Sequence, residues 1–181
     1  RKSLNRSGKG QQTMKYHSGI LALGLALLCG TARAQQSYVV DRRGNTLRGD
    51  QITANNQGDL TIRVGGGTRT LKLSQYQYAV TPKPRDVGTL EQLFDQGRYD
   101  AIIQNAGRVF EENKYLGWGG HIAYIEGMAH LRQGDAAKAL AAFSKASNPA
   151  IVARFEEEIS KGKVSAMIEL GRTDDAEPLL A

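Results

Sequence analysis

The sequence predicts an α+β chain: a small antiparallel β barrel or curled sheet over residues 35–84, then an α-solenoid of helix hairpins over residues 87–181. Three observations predict it. From Gln35 to about Pro84, apolar residues alternate with polar ones at period two. From Val87 onward that alternation vanishes and Ala, Leu, Glu and Arg dominate. Within this second part Gly97, Gly134 and Gly171 recur 37 residues apart, a fixed period of the kind that marks stacked repeats.

Before the first strand come two segments with other purposes. Residues 1–13 lie ahead of a plausible initiator, Met14, and read as a mis-called start or disordered leader. Residues 14–34 have the three parts of a secretory signal peptide: Lys15 near a short charged start, the apolar run Ser18 to Leu28, and the small-x-small site Ala32-Arg33-Ala34. The run falls short of the ~20 apolar residues of a spanning helix, so no stable membrane span is expected after cleavage. Export to the periplasm, cell envelope or exterior is the expectation. Cys29 is the only cysteine and follows Leu28, whereas a lipid-modified cysteine follows a small residue. The mature chain is therefore expected to have no disulfide and no thiolate site.

The same segment accounts for the net charge of +6. Six of the 24 Lys and Arg precede residue 35 and none of the 18 acids does, which leaves 18 against 18 for the rest. A nucleic-acid partner would require a basic patch on the folded part, and none is expected. The β part alone is basic, through Arg42, Arg43, Arg48, Arg63, Arg69 and Lys72 among others. With Tyr76 and Tyr78 as stacking surfaces it could meet an anionic polymer. Solvated strand charges and two tyrosines covering a sheet edge are the plainer reading.

Taken in order, the β elements are Ser37–Val40, Gln51–Ala54, Leu60–Val64 and Thr70–Leu73, about four or five short strands in all. Arg43-Gly44-Asn45, Asn55 to Asp59 and Gly65-Gly66-Gly67 supply hairpin turns between them. A sheet this small is marginal alone and is expected to lean on the helical part of the chain. Thr81-Pro82-Lys83-Pro84 then stops strand pairing and marks a short domain linker.

In the helical part FDQGRYDAI from Phe94, LRQGDAAKA from Leu131 and IELGRTDDA from Ile168 superpose on their glycines. Each glycine suits the left-handed turn that ends one helix and starts its antiparallel partner. The small residues Gly127, Gly134, Ala139 and Ala146 are expected where helices approach closely. The second unit resembles a tetratricopeptide repeat: Gly127, Gly134, Ala139, Phe143 and Ala146 stand at five signature positions, with Ala139 and Phe143 forming the Ala-x-x-x-Phe element. Ala123 and Glu126 replace the Trp and Leu of that pattern, and His130 stands at its Tyr. The third unit keeps Gly171, Ala176 and Leu180 but has Val164 at the first small position, and the first keeps Gly97 and Tyr99. A period longer than the family's 34 places longer connections around Gly117 to Gly120 and Asn148-Pro149.

The resemblance implies hairpins stacked so that the first helix of each lines a concave groove for a peptide or a partner's helix. Carried onto this chain, the partner-binding positions are Tyr124, Met128, Leu131 and Arg132 in the second unit, with His121 beside them, and Lys161, Ser165 and Glu169 in the third, with Glu158 and Ile168. The chain reaches Ala181 without a capping helix and is expected to be a piece of a longer reading frame.

No catalytic, cofactor-binding or metal-binding residues are identified. His121 and His130 lie nine apart on a helix, on opposite faces, with no nucleophile or ligand partner evident nearby. Glu156-Glu157-Glu158 reads as a solvated face, and the triple glycine joins two strands, unlike a nucleotide loop. The expected function is an exported adaptor that binds a protein or peptide. The alternatives are an envelope module whose β part grips an anionic polymer and a regulatory fragment of a larger enzyme.

Overall fold

The period-two segments form six strands: β1 (Ser37–Asp41), β2 (Thr46–Gly49), β3 (Gln51–Ala54), β4 (Leu60–Val64), β5 (Gly67–Leu71) and β6 (Tyr76–Val80). This computed structural model describes residues 37–179, so the leader and signal segments and the last two residues lie outside the described residues. The three predicted turns join β1 to β2, β3 to β4 and β4 to β5. Side chains close the first two: Asp41 Oδ1 accepts from the amides of Arg43 and Asn45, and Asn55 Oδ1 accepts from those of Gln57 and Asp59. β2 and β6 escape the alternation rule. β2 has Leu47 as its only large apolar residue, and a bulge between Val40 and Asp41 breaks the pairing of β1 with β6.

A closed barrel does not form. The strands make two antiparallel sheets, β2-β1-β6 and β3-β4-β5. The chain passes from one sheet to the other at Gly49, where a Cβ would lie 2.5 Å from Ile62 Cγ2, and the Asp50 amide anchors the corner on the Arg63 carbonyl at 2.8 Å. A 3₁₀ turn at Leu73–Gln75 separates β5 from β6, so the pairing that would complete a barrel is absent among the described residues. Val39, Ile52, Leu60, Ile62, Leu71, Tyr76 and Ala79 fill the space between the sheets, joined by Ala150 from the helical part. Tyr76 is fully buried and its hydroxyl donates to the Gly58 carbonyl at 2.7 Å, which removes it from any stacking role. Burial also pushes the Tyr76 phenol well above its ordinary range.

Helices come directly after Pro84: α1 (Arg85–Asp95), α2 (Tyr99–Asn113), α3 (Gly119–Arg132), α4 (Ala136–Ser144), α5 (Pro149–Val152), α6 (Glu156–Glu169) and α7 (Thr173–Ala176). The three 37-spaced glycines end α1, α3 and α6 with one repeated motif. Gly97, Gly134 and Gly171 have φ of 68°, 77° and 70°. Each donates its amide to the carbonyl three residues back, and the next amide reaches five back, the double bond of a Schellman turn. The chain then re-enters a helix two residues later. Gly134 has nothing within 4 Å of a notional Cβ, so its smallness serves the turn and no helix approaches it. The close approaches lie elsewhere.

The closest is at Phe143 of α4, a fully buried ring. A Cβ at Gly127 of α3 or at Gly162 of α6 would overlap it, so the ring fills the space left by two missing side chains on two helices. Ala139, Ala146 and Ala166 are buried in the same core. α3 thus packs on α1, α2, α4 and α6, and is the hub of the helical part.

The longer connections take a second role. Lys114–Trp118 forms a π-helical turn with Gly117 at φ 86°, and a Cβ there would overlap the Ala79 carbonyl of β6. The Trp118 indole donates to the Thr81 carbonyl at 3.3 Å, and the Thr81 hydroxyl donates to the Leu116 carbonyl at 2.9 Å. Sheets and helices accordingly share one compact unit, with the predicted linker packed against the α2–α3 connection. The other connection, after α5, contains Ala153 at φ 44° and ψ −111°, a strained conformation for a residue with a Cβ.

This backbone makes two stability predictions. Gly127→Ala is expected to destabilise by about 1–2 kcal/mol, overpacking outweighing the helix-propensity gain. In urea unfolding its effect should be partly relieved by Phe143→Leu, whereas Gly134→Ala, costing about 1 kcal/mol through its positive φ, should add independently of Phe143→Leu. Additive behaviour of both pairs would contradict the packing described. Ala153→Gly, in contrast, is expected to stabilise by about 1 kcal/mol by relieving strain, read as a higher urea midpoint at unchanged slope.

Candidate partner-binding face

The first helices of the three hairpins are neighbours: α3 contacts α1 on one side and α6 on the other. Along α3, His121, Tyr124, Met128 and Leu131 are spaced three, four and three apart, the interval that keeps side chains on one stripe of a helix. All four are half-buried. Tyr124, Met128 and Leu131 pack at their bases against the helical core, and the Tyr124 ring lies 6.2 Å from that of Phe143.

The predicted positions therefore divide. Tyr124, Met128 and Leu131 form the shared stripe on α3, and Arg132 is exposed at its end. On α6, Lys161, Ser165 and Glu169 are exposed. Lys161 pairs with Glu157 one turn earlier. The Ser165 hydroxyl donates back to the Lys161 carbonyl at 3.0 Å, a bond within its own helix. Ile168, the counterpart of Leu131, is 54% exposed. Glu156, Glu157 and Glu158 are exposed, as a solvated face requires.

A polar and aromatic cluster at the other end of α3 was not evident in the sequence. His121 Nε2 lies 2.8 Å from Glu91 Oε1, and Lys83 holds the other oxygen of Glu91 at 2.7 Å, so His121 does have a partner. Burial pushes the Glu91 carboxyl upward, but the bonds from Lys83 and His121 outweigh it and hold the group below its ordinary value. The His121 ring lies 4.9 Å from that of Phe155 and meets Trp118 edge-on at 6.1 Å, and the Arg154 guanidinium lies over both Trp118 and Phe155. Glu91 is 30 residues from His121, and only the hairpin stacking brings them together.

His130 points elsewhere, as the nine-residue interval predicts. It is buried, and so is Glu126 one turn before it, whose carboxylate takes both its bonds from Lys145 at 2.6 and 2.7 Å. Among the described residues no group of three His, Cys, Asp or Glu side chains could hold a metal ion, and no helix is long and apolar enough to cross a membrane. The arginines of the β part do not share one face: the register sets Arg69 opposite Ile62 on the inner side and Arg63 opposite Thr68 on the outer. No family model, curated protein or solved structure matches the chain.

His130 gives a pH prediction. Burial lowers its pKa against the smaller opposing influence of Glu126 and Asp135, so the native state keeps the ring neutral where the unfolded chain protonates it. Stability is then present above the unfolded value of about 6.5 and is lost as pH falls from there through the lowered native value. Urea midpoints measured between about pH 7 and pH 5 should decline, and His130→Gln should flatten that part of the profile.

Proposed function

We propose that the protein is an exported scaffold built on tetratricopeptide-like hairpins, which captures a peptide or helix of another protein on the α1–α3–α6 face without catalysing a reaction. The observation that carries this reading is the stripe of His121, Tyr124, Met128 and Leu131, anchored in the core at its base and open along its outer edge. Half-buried aromatic and methionine side chains are suited to recognition because they present apolar area already fixed in position. Arg132, Lys161, Ser165 and Glu169 around them supply a polar border. The repeated glycine turns and the Gly127, Ala139, Phe143 and Ala146 core support the family resemblance. The leader pattern of residues 14–34 supports export.

Affinity capture from envelope extract with the mature chain tests the reading. Tyr124→Ala combined with Met128→Ala should reduce recovery of the specific partner by about tenfold or more. Because both residues touch the core, Lys161→Glu serves as a second variant, its side chain being 73% exposed; it should weaken capture while leaving thermal stability nearly unchanged. Val64→Ser on the sheet, also exposed, should have no effect on capture. Equal recovery with all three variants would refute the assignment of this face.

A further inference from the structure

A separate cleft of about 410 Å³ opens between the β sheets and the start of α6, away from the α3 stripe. The sheet side contributes Arg42 from the β1–β2 turn and Gln77 and Tyr78 from β6. The helical side contributes Ser147, Pro149, Val152, Ala153 and Glu156. Clefts of this size at the junction of two structural layers are where small ligands bind most often.

Its lining carries one side chain of each charge, Arg42 and Glu156. Arg42 and Glu156 come from different layers, and among the described residues neither side chain has a hydrogen-bond or ion-pair partner. Glu156, in the first turn of α6, is the acidic side chain of the lining and attracts a cation. The Arg42 guanidinium favours a carboxylate, which it can hold with two parallel bonds. Val152, Pro149 and the Tyr78 ring give apolar walls between the two, while Gln77 and Ser147 supply neutral donors and acceptors. Ala153, the only residue other than glycine at positive φ among those described, lines the same cleft. Strained backbone of this kind gathers at ligand sites, where the surroundings hold it in place.

From these features we infer that the cleft binds a short zwitterionic peptide, its carboxylate on Arg42 and its ammonium on Glu156. Such a ligand satisfies both unpartnered charges at once, and no simple anion or cation does. Its occupation would tie the β1–β2 turn and β6 to the α5–α6 connection.

Titration of the ¹⁵N-labelled chain with glycylglycine, followed by amide chemical shifts up to about 20 mM, tests the inference, since a ligand of so few atoms is expected to bind in the millimolar range. Saturable shifts should cluster at Tyr78, Ser147 and Ala153, and the doubly capped N-acetylglycylglycine amide should produce none. Arg42→Ala and Glu156→Gln, both at exposed positions, should each raise the apparent Kd by about tenfold while leaving the rest of the spectrum in place. The proposal is overturned if the capped peptide shifts the same amides equally, if neither substitution changes the titration, or if no saturable shift reaches the cleft. Shifts confined to the α3 stripe would likewise overturn it, without touching the reading of that face.

Discussion

The helical half of this protein depends on one aromatic ring. Phe143 reaches from α4 into a space that exists only because Gly127 on α3 and Gly162 on α6 have no side chains. A fully buried side chain of this size contributes on the order of 3 kcal/mol from apolar transfer alone, and here the contribution is shared among three helices. It holds α4 against the hairpin it belongs to and against the first helix of the next. The neighbouring relation of α3 and α6, and with it the continuity of the α3 stripe onto α6, depends on that contact.

The extra length of the repeat has a comparable explanation. The residues beyond a minimal helix hairpin are spent at Lys114–Trp118 and around Pro149–Phe155, and both segments face the sheets. Gly117 lets the backbone lie on Ala79, Thr81 accepts from the Trp118 indole and donates to the Leu116 carbonyl across the boundary, and Ala150 enters the core of the β part. A sheet pair that leaves two edges unjoined would be a poor independent unit. One surface of it is completed by the connections of the helical array.

Much of the fold was legible in local chemistry. The alternating apolar residues of β4, the Asp41 and Asn55 turns and the 37-residue glycine interval each carry a short-range signal, and each appears where expected. What failed was decided by local features without periodicity or by contacts distant in sequence. β5 and β6 do not pair across the 3₁₀ turn whose Lys72 amide bonds to the Gln75 side chain, a feature without periodicity. Tyr76 reads as a surface aromatic until the bulge opposite Asp41 turns it inward. The α3 positions came from the family resemblance and share one helix, whereas the Glu91–His121 pair required two hairpins to be stacked first. Gly162 was missed because the counterpart of Gly127 by period is Val164, and the ring that Gly162 receives belongs to the preceding unit.

The open sheet has a further consequence at Arg69. This residue sits on the outermost strand, β5, in register with Ile62 on the side that faces the core, yet it remains exposed. An intruding strand that lengthened the sheet would have to strip water from that guanidinium, which among the described residues has no carboxylate partner. An inward-facing charge on an edge strand is one of the devices by which sheets disfavour edge-to-edge pairing, and Arg69 places one on the border of β5.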